Sequence, residues 1–124
     1  MFEVVDMVED DSGALWIASS RGLYRREDQG RTTRYGANDG LASERIRALL
    51  SDRDGAVWVG TALGLCRLSH DPGTKRLTVI QVFTTSDGPP ADVVDLLLRT
   101  SGGRLWAGTN QGLAELLYPQ RFDG

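Results

Sequence analysis

Apolar residues in this chain fall in short runs, each closed by a polar break that contains glycine, and the sequence writes the same run-and-break sentence three times. Asp52 to Arg67 reads D-R-D-G-A-V-W-V-G-T-A-L-G-L-C-R, with an Asp-Gly turn, an apolar run centred on Trp58, a small Gly60-Thr61 step, a second turn at Gly64 and another apolar run. Asp11 to Arg26 and Ser101 to Glu115 repeat it. Trp16, Trp58 and Trp106 are 42 and 48 residues apart, and Gly22, Gly64 and Gly112 keep both intervals. A period of this size marks a repeated supersecondary unit.

The second unit predicts four strands: Ile46 to Leu50, Ala56 to Thr61, Leu65 to Ser69 and Leu77 to Thr84. They are joined by a turn at Asp52-Arg53-Asp54-Gly55, a turn at Ala62-Leu63-Gly64 and a polar loop at 70–75. Asp and Gly suit hairpin turns because one can bond its own backbone and the other accepts positive φ. The first unit predicts strands at Glu3 to Val8, Leu15 to Ser19, Leu23 to Arg26 and Thr32 to Tyr35. The third predicts Val93 to Leu98, Leu105 to Thr109 and Leu113 to Tyr118, with Arg121-Phe122 standing in for an outer strand. Tyr35, Phe83 and Phe122 read as one aromatic position.

Ser43 to Leu50 has a composition that would suit a helix. Its counterparts V-V-D-M-V and V-V-D-L-L-L are β-branched and short, so a strand is expected. The second strands are apolar on both sides of each tryptophan, which implies sheets covered on both faces and tryptophans in the core.

The 124 residues amount to one domain with ordinary hydrophobic (40%) and charged (25%) content. A net charge of -3 without a basic stripe argues against a nucleic-acid partner. No apolar stretch is long enough to span a bilayer, and the acidic start does not read as a signal peptide. Cys66 is the only cysteine, which excludes internal disulfides; its slot holds Tyr24 and Ala114 in the sister units, so it is expected to pack.

The segment Tyr35 to Ser43 (Y-G-A-N-D-G-L-A-S), followed by Ile46 to Leu50 and Asp52 to Gly64, resembles the two-component regulator propeller repeat. The resemblance runs through the chain three times. Departures are Ala18-Ser19 in place of Gly-Thr, Asp87-Gly88-Pro89 before the third unit, and a third hairpin turn without its aspartates. It implies an all-β fold, a β-propeller of three four-stranded antiparallel blades at about 1–38, 39–86 and 87–124. It also implies a sensor role, as in periplasmic portions of bacterial hybrid sensor kinases that detect saccharides; fold alone does not fix that role.

Three blades do not close a ring, since propellers usually have about four to eight. Their uncovered flanks would expose apolar side chains. Either further blades belong to a longer chain, or a second copy completes six blades as a homodimer; Met1 and the three-unit length favour the second expectation.

No catalytic constellation, cofactor motif or metal site is expected. His70 is the sole histidine and falls in the polar loop beside Pro72-Gly73; the acidic turns lack the spacing of a calcium loop. The expected ligand-binding residues are Ser43, Glu44, Arg45, Arg47, Asp92 and Asp95, at the starts of the innermost strands, which face the channel in propellers. Val5, Arg47 and Asp95 are one position with three chemistries. The leading reading is a non-enzymatic propeller that binds a small molecule, for which the resemblance implies a saccharide, with no nucleic-acid or membrane partner. The alternatives are a lyase like the propeller enzymes that open cyclic peptide antibiotics, and a purely structural self-assembling fragment.

Overall fold

The computed structural model describes residues 3–41, 43–51, 56–71, 76–83, 93–110 and 112–116. Within them the chain forms three antiparallel sheets. The first holds β1 (Val4–Glu9), β2 (Leu15–Ser19), β3 (Gly22–Arg26) and β4 (Thr32–Tyr35) in sequence order. The second holds β5 (Ile46–Ser51), β6 (Val57–Thr61), β7 (Gly64–Asp71) and β8 (Arg76–Phe83) in the same order. The third holds β9 (Val94–Arg99), β10 (Leu105–Thr109) and β11 (Gly112–Leu116). The outer strand expected near Arg121-Phe122 lies outside the described residues, as does the Asp87-Gly88-Pro89 departure. Ser43 to Leu50 is strand from Ile46 onward, as its counterparts require.

The repeated residues make the same turns wherever they are described; the turn expected at Asp52-Arg53-Asp54-Gly55 lies outside the described residues. The first hairpin of a sheet closes with a backbone bond from Gly13 N to Asp10 O (3.0 Å), matched by Gly103 N to Thr100 O (2.9 Å). Gly13 and Gly103 sit at φ 88° and 89°, where an L side chain is strained. The second hairpin pairs Ser19 with Gly22, Thr61 with Gly64 and Thr109 with Gly112. In each, the hydroxyl donates to the glycine carbonyl at 2.9 Å. Ser19 therefore keeps the bond that threonine makes in the sister sheets, which explains why Ala18-Ser19 can replace Gly-Thr.

The sheets pack face to face, β1 against β5 and β5 against β9. Between the first and second lie Trp16, Leu23, Tyr35 and Leu41 against Ile46, Leu49, Val57, Val59, Cys66 and Leu68. Between the second and third lie Trp58, Leu65 and Leu50 against Val94, Leu97, Leu105 and Ala107. Cys66 is a buried packing residue. Trp16 and Trp58 are core residues, while Trp106 is half-buried. Gly60 lets the third sheet close in: a Cβ there would stand 2.8 Å from both Val94 Cγ1 and the Val94 carbonyl oxygen.

The Asp-Gly-Leu motif does local work at the passage between sheets. Asp39 accepts a bond from Gly36 N (2.8 Å), Gly40 takes φ 98°, and Leu41 turns into the core beside Trp16. Tyr35 pairs with Leu23 and Phe83 with Leu65, so these two are one register position; Phe122 is outside the described residues.

Candidate functional site

Val5, Arg47 and Asp95 share a feature that sequence reading missed. In each innermost strand the register skips this residue: Val4 and Asp6, Ile46 and Ala48, and Val94 and Leu96 are paired with consecutive residues of the neighbouring strand. All three are bulge residues. A bulge bends the strand and re-aims one side chain out of the pleat, which is why this slot tolerates three chemistries.

The bulge brings two of the expected site residues together. Arg47 Nε and its terminal Nη2 donate to Asp95 Oδ1 at 2.9 and 2.7 Å, joining β5 to β9. Both side chains are about half exposed, so the pair adds only ~0–1 kcal/mol to stability and stays accessible. Ser43 Oγ accepts a bond from Arg45 N at 3.0 Å, holding the approach to β5. Glu44 faces the first sheet. It accepts from Ala37 N at 3.1 Å and from Arg34 at 3.3 Å, and Arg34 in turn donates to the Arg21 carbonyl. The Ala37 N–H, followed by the Arg34 charge, holds the Glu44 carboxyl below its usual range. Glu44 is thus a tie between sheets. Asp92 lies outside the described residues.

A second cluster, at the hairpin end of the first sheet, was read from sequence as turn chemistry alone. Asp10 Oδ1 accepts from Ser12 N, Ser12 Oγ and Ala14 N at 2.9, 2.7 and 3.0 Å. Its Oδ2 accepts from Trp16 Nε1 at 2.8 Å and from Arg25 at 3.4 Å. Arg25 also reaches Glu27 (3.1 Å) and lies over the Trp16 ring, 5.6 Å from its centroid. Burial pushes the Asp10 carboxyl up, but the bonds from Ser12, Trp16 and Ala14 outweigh it and leave the group below its ordinary value. This carboxylate is saturated by its own turn, so it serves as a structural hub. The third sheet has Thr100 and Glu115 in these slots, and Glu115 pairs instead with Arg104 at 3.8 Å.

His70 is a correction. It is not in the polar loop but on β7, because backbone pairing continues out to Asp71 and Arg76 regardless of the polarity of the side chains. Its ring meets Trp16 edge-on at 6.1 Å, half-buried between the first two sheets. A groove of about 140 Å³ there is lined by Asp10, Asp11, Ser12, Trp16, Arg25, Val57 and His70. A wider concavity of about 540 Å³ opens where β1, β5 and β9 end, between Val8-Glu9, Leu50-Ser51 and Leu98 to Ser101. It lies at the other end of the innermost strands from Arg47 and Asp95.

The sequence model of the two component regulator propeller family matches residues 40–62, the span that contains the Gly40-Leu41 turn, the β5 bulge and Trp58. Residues 40–62 are a two component regulator propeller repeat. The structure is similar to the extracellular domain of a protein assigned as a hybrid two component system in B. thetaiotaomicron, with TM-score 0.79 and 22% identity over 98% of this chain. It is similar to the extracellular domain of a one component system of the same organism, with TM-score 0.71 and 26% identity over 96% of this chain. The chain spans 16% of the length of each of those chains. It also shares its fold with virginiamycin B lyase from Staphylococcus aureus, with TM-score 0.61 and 17% identity over 94% of this chain and 41% of that one. No curated protein matches the chain by sequence. The fold is all-β, a part of a propeller, and its sheets are propeller blades. No helix among the described residues is long and apolar enough to cross a membrane.

Proposed function

We propose that this chain is a non-enzymatic, sensor-type propeller segment of a bacterial two-component signalling protein, and that it holds a small polar ligand of the saccharide class. The observation that carries this reading is the propeller repeat at 40–62, set in a fold shared along nearly the whole chain with two extracellular domains of signalling proteins. The site we assign is the end of the blades where β5 and β9 begin. There Arg47 offers a planar set of donors and Asp95 a carboxylate acceptor, both half exposed. Neighbouring sugar hydroxyls can accept from the one and donate to the other, which a single charged group cannot provide. Ser43 and Arg45 flank the pair, Asp92 completes the set by its place in the sequence, and Glu44 holds the approach in place.

Calorimetric titration with a panel of neutral and acidic mono- and oligosaccharides tests this. Binding by the wild-type chain should weaken by about tenfold or more in Arg47→Ala and Asp95→Ala, a loss of ~1.4 kcal/mol or more. A folded protein that binds none of the panel sinks the saccharide reading. The lyase reading rests on fold likeness alone, and His70 stands apart from Arg47 and Asp95, between the first and second blades.

A further inference from the structure

The innermost strands end, as they begin, on a position with three chemistries. Val8, Leu50 and Leu98 are one register position, paired with Trp16, Trp58 and Trp106. Glu9, Ser51 and Arg99 are the next, paired with Leu15, Val57 and Leu105. The first position is aliphatic in every blade, while the second is an acid, a hydroxyl and a base. All six residues line the concavity of about 540 Å³ at the ends of β1, β5 and β9. That volume lies within the range of about 300–1,000 Å³ that small-molecule sites occupy.

The two charges on this hollow are uncommitted. Glu9 is exposed, and among the described residues neither it nor Arg99 enters an ion pair. Arg99 donates through Nη2 to the Ser51 carbonyl. That bond pins the guanidinium across the junction of blades 2 and 3 and leaves its other N–H groups to a ligand. A carboxylate and a guanidinium in contact would neutralise each other. Facing one hollow unpaired, they complement a molecule that carries an ammonium and a carboxylate of its own. A metal ion fits less well, since among the described residues no three ligating side chains gather. A sugar would meet both charges with neutral hydroxyls only. Val8, Leu50 and Leu98 add an aliphatic lining that favours apolar groups between the charged ends.

We propose that this end of the innermost strands binds a short zwitterionic peptide with aliphatic side chains, its ammonium on Glu9, its carboxylate on Arg99 and its side chains over Val8, Leu50 and Leu98. The site is separate from the one assigned to Arg47 and Asp95 and does not rest on it. Arg99 is held in place before the ligand arrives, so less freedom is lost on binding.

Calorimetric titration of the 124-residue chain with alanyl-leucine, its N-acetylated form and its C-terminal amide tests this. The free dipeptide should bind with a Kd of about 1 mM or tighter, and blocking either of its charges should weaken binding about tenfold. Arg99→Gln should bind the dipeptide and its amide alike, and Glu9→Gln the dipeptide and its acetylated form alike, because each variant has already lost the contact in question. Arg47→Ala should bind as wild type does. Circular dichroism checks the fold of each variant; where one fails to fold, the blocked peptides on the wild-type chain decide the matter. Folded wild type that binds none of the three peptides overturns the inference. So do blocked peptides that bind as well as the free one, folded Arg99→Gln that still prefers the free carboxylate, or a loss of binding in Arg47→Ala.

Discussion

Asp10 shows how one side chain can organise a hairpin and still be mistaken for a simple turn former. Its carboxyl is held below its ordinary value of 3.8, so the stability it supplies is present above that pH and is lost as the pH falls through the lower, folded value. Asp10→Asn should cost about 1–3 kcal/mol at pH 7, since the amide nitrogen cannot accept from Trp16 Nε1. The variant should also lose stability less steeply than wild type on acidification below 3.8, as urea melts at neutral and acid pH would show. Glycines offer a sharper contrast. Gly60→Ala should destabilise by about 1–3 kcal/mol, because the new Cβ meets backbone as well as side chain of Val94. Gly108→Ala, whose Cβ would stand 3.3 Å from Leu96 Cβ, should be nearly neutral in the same melts. The sequence told that Trp16 and Trp58 were core and that the aspartates made turns. It did not tell that Asp10, Trp16 and Arg25 touch, because that contact exists only once the antiparallel register lays three strands side by side.

At the scale of the element, the second hairpin of each blade depends on a hydroxyl more than on the residue that carries it. Thr61→Ser should therefore be close to wild type, as Ser19 already does this work in the first blade. Thr61→Val should cost about 1–2 kcal/mol, because the Leu63 N–H, bonded to the Thr61 hydroxyl at 3.0 Å, loses its partner; denaturant midpoints for the two variants check the difference. Strand positions were legible because three copies of the pattern had to be satisfied by one structure, which decided the ambiguous Ser43 to Leu50 in favour of a strand. Two things were not. The extent of β7 was hidden because backbone pairing carries a strand through polar residues, and that placed His70 against Trp16. The bulge at Val5, Arg47 and Asp95 was hidden because sequence variation at a slot shows that a side chain is released from packing, without showing the backbone kink that releases it.

For the whole molecule, the repeat spacing implied stacked sheets and the structure fills in how they join. Each junction buries an indole and a leucine from one blade against aliphatic residues of the next, and only a few polar ties mark one junction from another. Asp6 accepts from Leu49 N at the first, while Arg47 pairs with Asp95 at the second. Those differences keep otherwise similar blades in order. They also place the expected ligand site on the second junction, so a ligand there would bridge two blades.

The three tryptophans occupy three unlike settings on three like blades. The Trp16 ring has a guanidinium above it and a histidine at its edge, Trp58 is fully buried with the guanidinium of Arg67 over its ring, and Trp106 stands half in water. Their ultraviolet emission therefore differs by blade, with Trp106 the reddest and the most open to iodide quenching. The chain thus carries its own optical label for each blade, and covering the third would turn its emission blue without any dye attached.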